Sequence, residues 1–458
     1  MAFPSPSLRD ILPPPRTLAC ALAAMLSLAA ISPTAAQGTR GTRLYLQPYR
    51  GTRAYAGTDE LAYRVIQADK TLALIELNPP PGVMQVTFRL DGYADTVFYT
   101  FPAQDHDAGR EPDAGALPLV VLRRQGSRYA FERAVATGSQ PKSVTFIDKR
   151  RVAVALLDGP GIDIIDIVSG KRERIAPPEP WARKLGFVEC LVIPGRCELW
   201  VSQMTAGAAH VFRLPGLEYR GTVKSGGVWG KVLAYNKAEN RIYMTNWVSE
   251  DVSVIDPDTL REERRLRFSA VPRGIAFSGE GRAMYLAQYE IDGEPRGRLL
   301  KVDLATGVLL ASMGVEGSKR HLVIDESRSR LYVSDMARDL IEVFSLKDDS
   351  FIGSVSVGAK PNTIALSPDG SILYVSCRGH NNPDKGYLYK GYDMGRVYVI
   401  DTFSLSVREW WEGGNQPTGL AVSPDGALVV SSDFLDARVR IHRKLEPKAK
   451  GQPAAEPL

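Results

Sequence analysis

Residues that build covalent or metal-bound scaffolds are scarce in this chain. Its 458 residues include four cysteines and five histidines, too few for a disulfide framework or a His/Cys metal cage to organise the whole fold. The motifs G-x-S-x-G, H-E-x-x-H and C-x-x-C are missing, so no pattern supports a serine-hydrolase elbow, a zinc protease or a covalently attached haem. We predict no cofactor and favour a non-catalytic protein, with the question of activity left open.

A strong charge of one sign is also lacking. The net charge is +5, from 57 Lys and Arg against 52 Asp and Glu. That excess is too small in a chain of this length to indicate nucleic acid, which we do not predict as a partner. Sustained helical periodicity is lacking as well, which argues against parallel strands alternating with helices.

Long apolar runs are confined to the N-terminus. Leu18–Ile31 is uninterrupted but too short to span a bilayer comfortably. It follows Arg9 and Arg16 and precedes small residues, a pattern typical of a signal peptide that comprises residues 1–36. We therefore expect an extracytoplasmic protein, periplasmic or secreted to the cell surface, with no transmembrane segment after cleavage.

Two of the cysteines lie close together in the sequence. Cys190 and Cys197 flank a predicted hairpin that turns at Pro194-Gly195. In that register Cys190 faces Leu199 or Glu198, and the two sulfur atoms are diagonal neighbours near the long limit for a bridge. A disulfide can form there but is not required, and Cys377 is expected to be a buried free thiol.

An internal repeat accounts for most of the chain. Each copy has an apolar run, a turn containing Asp, Asn or Gly, a second run often centred on Tyr or Trp, and two further strands. Seven copies begin at Pro141, Phe187, Gly230, Pro272, Lys319, Pro361 and Pro417. Four antiparallel strands at a spacing of about 40–47 residues are typical of a propeller blade. The sequence therefore predicts an all-β fold, a seven-bladed β-propeller over residues 118–443.

The ends of the propeller follow from the same pattern. The last copy lacks its outermost strand, and Tyr129–Val135 can supply it and close the ring. Leu119–Arg123 is expected to join the same sheet. Residues 444–458, rich in Lys, Pro and Ala, are predicted to be a disordered tail.

The repeats resemble a known family. Tyr374-Val-Ser, Tyr332-Val-Ser-Asp and Tyr243-Met-Thr-Asn each follow a variant of Ser-Pro-Asp-Gly, and together they look like the YVTN family of β-propeller repeats. The resemblance implies the propeller fold but no single function, because this architecture hosts binding proteins, lactonases and redox domains alike.

A separate small antiparallel β domain is predicted for residues 38–112. Four strands are expected at Glu60–Gln67, Thr71–Leu77, Val83–Leu90 and Thr96–Phe101. Its Pro-Gly and Asp-Gly-Tyr elements are similar to the PEGA module. Residues 102–118, rich in Asp, Ala, Gly and Pro, are expected to form the linker.

Basic residues recur where the innermost strand of each blade begins. Alignment of the copies on one position gives four cations at the predicted channel mouth: Lys142, Lys231, Arg273 and Arg320. A ring of such charges attracts anions. Trp229 and Trp247 are expected to add aromatic surface on this face, and His321 lies beside the ring. Solvated Lys and Arg side chains at loop ends remain the alternative interpretation.

A long loop lies on the same face. Residues 377–395 separate the second and third strands of blade 6, and loops of this length are often functional. The candidate ligand-binding side chains are Arg378, His380, Asn381, Asn382, Tyr387 and Tyr389. Such polar and aromatic groups suit a polar ligand, although a tyrosine-anchored lid packed on its own blade is equally compatible.

These observations together predict an exported, non-catalytic binding protein. Its expected partner is an anionic or polar ligand, or a protein or other cell-envelope component, that docks on the basic face. The alternative is a lactonase-like hydrolase with a divalent metal in the channel. That enzyme would need Glu, Asp and Asn at the starts of the inner strands, where this sequence has mostly basic residues.

Overall fold

The structure, a computed structural model, describes most of the chain after the predicted signal peptide. It covers residues 42–80, 83, 85–99, 117–290 and 296–446. Three predicted features lie wholly or largely outside these residues: the signal peptide at 1–36, the linker at 102–118 and the tail at 444–458. Within the described residues, no helix is long and apolar enough to cross a membrane.

The N-terminal region is a small β domain of two four-stranded sheets. One sheet has the strand order β4-β5-β1-β8 and the other β3-β2-β6-β7. Leu46 and Ile75 from the first sheet and Phe88 from the second are all fully buried in one shared core, so the sheets pack face to face. The strands are β1 (Thr42–Gln47), β2 (Arg53–Ala56), β3 (Asp59–Leu61), β4 (Tyr63–Asp69), β5 (Leu72–Leu77), β6 (Gln85–Arg89), β7 (Thr96–Tyr99) and β8 (Leu119–Val121).

Two expectations about this region were wrong. The four predicted strands correspond to β4–β7, but β1, β2 and β3 were missed because they are short or flanked by turn residues. β8 pairs in parallel with β1 of the small domain instead of joining blade 7. The small domain therefore extends beyond residue 112, and the first propeller strand begins at Tyr129 and not near residue 118.

The rest of the described chain is a seven-bladed β-propeller, as predicted. Six blades are consecutive four-stranded antiparallel sheets, and the seventh has the order β34-β35-β36-β9. The strands are β9 (Tyr129–Ala136), β10 (Pro141–Phe146), β11 (Arg151–Leu156), β12 (Ile162–Asp166), β13 (Arg172–Ile175), β14 (Phe187–Ile193), β15 (Glu198–Gln203), β16 (Ala208–Arg213), β17 (Glu218–Lys224), β18 (Gly230–Asn236), β19 (Arg241–Asn246), β20 (Asp251–Asp256), β21 (Arg261–Arg267), β22 (Val271–Phe277), β23 (Ala283–Tyr289), β24 (Gly297–Asp303), β25 (Leu309–Gly317), β26 (Lys319–Asp325), β27 (Arg330–Asp335), β28 (Leu340–Ser345), β29 (Phe351–Ser356), β30 (Pro361–Leu366), β31 (Ile372–Cys377), β32 (Gly395–Asp401), β33 (Ser406–Gly414), β34 (Pro417–Val422), β35 (Leu428–Asp433) and β36 (Arg438–Lys444). Three single-turn 3₁₀ helices cover Pro194–Arg196, Met204–Ala206 and Glu326–Arg328.

The repeated aromatic position of the second strand forms the core between blades. Its members are at most 1% exposed: Trp200, Tyr243, Tyr285, Tyr332 and Tyr374. Tyr332 of blade 5, for example, shares a buried cluster with Ile364 and Leu373 of blade 6. In these five blades the large flat ring packs against the next blade.

The predicted closure of the ring is confirmed. β9 pairs antiparallel with β36, from Ala136 opposite Arg438 to Tyr129 opposite Lys444. The Tyr129 and Tyr374 hydroxyl oxygens lie 2.7 Å apart in a buried hydrogen bond that connects β9 to blade 6. Closure covers a strand edge that would otherwise be exposed.

Every innermost strand begins with an irregularity in its pairing. In blade 1, Pro141 pairs with Leu156 but the next paired residue is Val144, so Lys142 and Ser143 lie in a bulge. The same shift occurs at the start of the inner strand in the other six blades. A bulge redirects side chains from the sheet faces, and the bulges of four blades contain Lys142, Lys231, Arg273 and Arg320.

The possible disulfide does not form. Cys190, Cys197 and Cys377 are all free. The predicted hairpin register was wrong, because Cys190 pairs with Val201 while Cys197 lies in the turn after a 3₁₀ helix with a left-handed φ of 51°. The two cysteines therefore have no cross-strand relation.

Thiol labelling can check these environments. Cys197 is exposed, whereas burial raises the pKa of both the Cys190 and the Cys377 thiol. Since the thiolate is the reactive form, we expect a maleimide reagent to label Cys197 in the folded protein and the other two only after unfolding. Peptide mapping by mass spectrometry identifies the labelled sites. Equal labelling of Cys190 in the folded protein would contradict the structure.

A buried ion cluster fixes the start of blade 5. The Lys319 ammonium lies 2.7 Å from the Asp335 carboxylate and 2.6 Å from that of Glu342, and all three side chains are at most 2% exposed. Removal of the cation would leave the buried Asp335 carboxylate without an ion pair in the described residues and Glu342 with only Arg338, at 3.6 Å. Lys319 also begins the strand that carries Arg320, so the cluster holds a channel residue in place.

Lys319→Met is therefore expected to lower the free energy of unfolding by about 3–5 kcal/mol. The matched control is Lys301→Met, because Lys301 pairs with Asp349 at 2.8 Å but with both side chains at least 20% exposed. That loss should be about 1 kcal/mol or less. Urea unfolding followed by tryptophan fluorescence measures both, and equal losses would refute the distinction.

Candidate functional site

Five cations converge where the bulges meet the channel. Lys231, Arg273 and Arg320 from the inner strands are only 5–7% exposed, and Arg378 from the blade 6 loop is 8% exposed. Lys142 from blade 1 completes the group. We call these five residues the basic funnel: Lys142, Lys231, Arg273, Arg320 and Arg378. The structure thus brings together the four predicted ring cations and one predicted loop residue.

The cations are close enough to act on one another. Burial lowers the pKa of Lys142 well below its usual value, and Arg378, Arg320 and Arg273 lower it further. Burial likewise lowers the pKa of Lys231, with Arg273, Lys142 and Arg320 adding to the effect. Such shifts arise because like charges and loss of water both disfavour the charged form.

Few polar partners compensate these charges. Arg320 Nε donates to the Asn362 side-chain oxygen at 3.0 Å, and Arg378 donates to that of Asn381 at 2.6 Å. These acceptors are neutral amides. Arg273 Nη1 and Arg378 Nε are buried and have no hydrogen-bond partner in the described part of the chain. Within that same part, none of the five cations belongs to an ion pair within 4.0 Å.

Aromatic faces surround the cations instead. Lys231 Nζ lies 3.0 Å from the Trp247 ring centroid and 5.4 Å from that of Trp229. The Arg273 guanidinium lies 5.2 Å from the centroid of Trp247. Trp229 has a left-handed φ of 62°, a strained conformation for a bulky residue. Cation–π attraction offsets part of the cost of desolvation.

The other side of the funnel has a second aromatic pair. Lys142 Nζ lies 4.7 Å from the Phe434 ring centroid and 5.2 Å from that of Tyr387. The Arg378 guanidinium lies 5.0 Å from the Tyr387 centroid, and the Tyr387 and Phe434 rings stack at 6.1 Å. The loop residue Tyr387 thereby contacts Lys142 of blade 1, Phe434 of blade 7 and Arg378 of its own loop.

Glu189 is the one carboxylate that acts on the funnel in the described residues. Burial raises the pKa of Glu189 to about 7, against the opposing effect of Arg320, Arg273 and Lys142. Sequence reasoning missed it because the alignment selected Val188 as the ring position in blade 2. The pairing irregularity at the start of this strand lies between Phe187 and Cys190, so it includes Glu189 as well as Val188.

Tyr289 and Phe434 were also missed. Tyr289 acts electrostatically on Arg273 and Arg320, and its ring lies 5.6 Å from that of Trp247. Tyr289 is the last residue of the second strand of blade 4, and Phe434 directly follows the second strand of blade 7. They occupy the same repeat position, one residue after the partner of Pro272 and of Pro417, but the sequence alignment compared only the inner-strand starts.

His321 has a structural environment. Burial lowers its pKa to about 3, with Arg320 and Arg273 contributing, so it is neutral at physiological pH. Its Nδ1 accepts a long hydrogen bond of 3.5 Å from the Ile364 backbone N–H on the next blade. On its other side the strand of His321 packs closely on blade 4, because a Cβ on Gly274 would lie 2.8 Å from the Arg320 carbonyl oxygen.

Three of the predicted loop residues are not brought into the funnel. His380 Nδ1 lies 3.0 Å from Asp393, and its ring stacks on the exposed Tyr392. The side-chain oxygen of Asn382 accepts backbone N–H bonds at a turn within the loop. Tyr389 contacts the Lys385 ammonium at 5.3 Å from its ring centroid. These side chains stabilise the loop itself.

The small domain holds the loop over the channel. Lys70 donates to the Asp393 carbonyl at 2.7 Å and to the Asn415 side chain at 2.5 Å. Lys390 of the loop pairs with Asp69 of the small domain at 3.1 Å and with Asp436 of blade 7 at 2.9 Å. These hydrogen bonds and ion pairs hold the loop in place, and the loop positions Tyr387 in the funnel.

Metal-ligating groups do not cluster in the described residues. No set of three or more His, Cys, Asp or Glu side chains converges there. The chemical capacity of the site is that of hydrogen-bond donors and positive charge within aromatic walls, which suits an anion.

Comparisons with known proteins agree with this architecture. No protein-family profile matches the sequence. Hydrazine synthase of Kuenenia stuttgartiensis is structurally similar, with a TM-score of 0.57 at 15% identity over 70% of this chain and 98% of that chain, which shows the fold alone. Antigen Lp49 of Leptospira interrogans is 42% identical over 413 residues, 89% of each chain. The chain therefore belongs to the family of antigen Lp49.

Proposed function

We propose that this chain is an exported binding protein that binds an anion at the basic funnel. The observation that carries the proposal is a cluster of five cations, four of them at most 8% exposed, in which two N–H groups have no partner in the described residues. Buried charges in proteins are normally paired. A ligand that brings the missing negative charge accounts for the arrangement.

Energetics favour a ligand over a purely structural role. The effective cost of burying one ion is several kcal/mol, and each cation–π contact returns only about 2 kcal/mol or less. The buried cluster at Lys319 is built differently, because the carboxylates of both Asp335 and Glu342 pair with the Lys319 ammonium. Within the described residues no carboxylate lies within 4.0 Å of a funnel cation, and an entering anion would supply the negative charge.

The wider setting of the proposal is the cell envelope. The predicted signal peptide favours export, and the related chain is named an antigen, which is compatible with exposure at the cell surface. The proposal includes the YVTN-like character of the repeats, because the repeats form the rigid ring that carries the funnel. The anion can be a free solute or an acidic group on an envelope component, because both present the same charge to the funnel.

Calorimetric titration with sulfate and benzene-1,3,5-trisulfonate tests the binding. We expect saturable binding that Arg273→Gln weakens tenfold or more, since a hydrogen bond to a charged group contributes about 1.5–3 kcal/mol. The matched control is Arg282→Gln, an arginine whose side chain is 85% exposed and lies at a blade turn. Unchanged affinity in Arg273→Gln, or an equal loss in the control, would overturn the proposal.

Stability gives an independent check. Arg273→Met removes an unpaired buried charge, so in anion-free buffer it should raise the free energy of unfolding by about 1 kcal/mol or more. Added sulfate should then stabilise the unmodified protein more than the variant, because only the former binds it well. Urea unfolding with and without sulfate measures both effects. A destabilised variant that responds equally to sulfate would indicate a structural role for Arg273.

A further inference from the structure

Lys231 is the more enclosed of the two amines in the basic funnel. It lies in the bulge at the start of β18 and is 6% exposed, whereas Lys142 is half-buried. Its Nζ lies 3.0 Å from the Trp247 ring centroid and 5.4 Å from that of Trp229. Within the described residues, no carboxylate lies within 4.0 Å of this nitrogen. The amine is therefore held against aromatic faces without a counter-ion.

This environment favours the neutral amine over the ammonium ion. The effective cost of burying one ion is several kcal/mol, whereas a desolvated cation–π contact returns about 2 kcal/mol. Lys319 is also fully enclosed, but two carboxylates pair with its ammonium. Lys231 has instead the Arg273 guanidinium near the same Trp247 ring, at 5.2 Å from the centroid. In agreement, burial and the neighbouring cations lower the pKa of Lys231 well below its usual value.

A neutral lysine amine is a nucleophile toward carbonyl groups. Desolvation and an adjacent cation are the two conditions that activate a lysine in this way. The nitrogen lone pair attacks the carbonyl carbon to form a carbinolamine, and loss of water leaves an imine. Both N–H protons of the amine depart with the carbonyl oxygen as water, so the step needs no oxidant or reductant.

Arg273 provides a place for an acidic group on the same molecule. Its Nη1 is buried and has no hydrogen-bond partner in the described part of the chain, and the same holds for Trp247 Nε1. A guanidinium binds a carboxylate with favourable charge and geometry. Because Arg273 and Lys231 both lie near the one Trp247 ring, the carboxylate and the carbonyl must be close together in the ligand. A 2-oxo acid has the two groups on adjacent carbon atoms.

We propose that Lys231 captures a compact 2-oxo acid as a reversible imine, with Arg273 binding the carboxylate of the acid. This inference rests on the proposed anion-binding function, because the same funnel must first admit the anion. The half-buried Lys142 shows that solvent reaches the funnel, and the position of Tyr387 over the cations favours a small ligand. Hydrolysis of the imine by water releases the acid unchanged.

Lys142 is the second amine from which Lys231 must be distinguished. Its Nζ lies 4.7 Å from the Phe434 ring centroid and 5.2 Å from that of Tyr387, and its pKa is lowered as well. It is more exposed than Lys231, and its ring contacts are longer than that of Lys231 with Trp247. Desolvation therefore favours Lys231 as the reacting amine.

Reductive trapping with pyruvate tests the imine. Sodium cyanoborohydride converts the imine to a stable carboxyethyl amine, which peptide mapping by mass spectrometry assigns to a residue. At about pH 7 an exposed lysine is neutral in only on the order of one molecule in a thousand. We expect Lys231 to be carboxyethylated about tenfold or more faster than Lys237, an exposed lysine of the same blade. Equal rates would overturn the proposal.

Two variants identify the nitrogen. Lys231→Arg keeps a cation but offers no nucleophilic amine, so trapping in the funnel should be lost while sulfate binding remains. Lys231→Met provides the same test of trapping with a smaller side chain. The matched control is Lys237→Met, which should leave the rate at Lys231 unchanged. Carboxyethylation of Lys142 in place of Lys231 in the unmodified protein would overturn the assignment.

Arg273→Gln tests recognition of the carboxylate. Acetone has the same ketone carbon but a methyl group where pyruvate has its carboxylate, so acetone reports only the reactivity of the amine. The ratio of the pyruvate rate to the acetone rate at Lys231 should fall about tenfold in the variant, since a hydrogen bond to a charged group is lost. An unchanged ratio would overturn the placement of the carboxylate at Arg273.

The two proposals fail in different ways. Sulfate binding without trapping at Lys231 would overturn the imine and leave anion binding intact. Trapping at Lys231 without saturable sulfate binding would overturn the proposed anion site while the reactive amine remains. Absence of both would overturn both.

Discussion

Closure of the ring by β9 is the constraint on which the rest of the structure depends. Seven inner strands point their starting bulges at one channel only if the first and last blades are joined. The pairing of β9 with β36, and the hydrogen bond from Tyr129 to Tyr374, provide that join. Residues far apart in the sequence, such as Lys142 and Arg378, then become neighbours without any local sequence signal between them.

Within the described residues, the charges of the funnel are stabilised by aromatic faces and not by ion pairs within 4.0 Å. Two other buried cations of the propeller have carboxylates, since Lys319 pairs with Asp335 at 2.7 Å and Arg440 with Asp433 at 2.8 Å. The same fold thus contains paired and unpaired cations at comparable burial. The unpaired cations keep a desolvation cost that no counter-ion offsets. An anionic ligand can offset that cost.

The sequence predicted most of the fold because the fold is periodic. Turn residues and the recurring Tyr or Trp identified the blades, and the pattern around Tyr129 identified the closing strand. Features that depend on a local departure from the period were missed. A bulge at the start of β14 includes Glu189. β8 pairs with β1 and not with a propeller strand, and Cys197 lies in a turn after a 3₁₀ helix and not in a paired strand.

The candidate site, like the fold, could be predicted from the sequence only in part. The basic ring could be predicted, since alignment alone superimposes Lys231, Arg273 and Arg320. The loop could be recognised by its length, but not which of its side chains point inward. Tyr387 and Arg378 contact the funnel, whereas His380 is held by Asp393. Which side chains of the loop point inward depends on the residues that bind the loop, and those residues lie in other parts of the chain.

The small domain takes part in this fastening. Asp69 and Lys70, on the turn between β4 and β5, bind the loop and the adjoining blade 7 directly. Gln47 donates to Glu412 at 2.6 Å and accepts from Arg440 at 2.7 Å, which joins β1 to blades 6 and 7. The match to antigen Lp49 is longer than the span Tyr129–Lys444, so it includes part of the small domain as well as the propeller. The loop that carries Tyr387 and Arg378 is thus held by the small domain and by blade 7 as well as by blade 6.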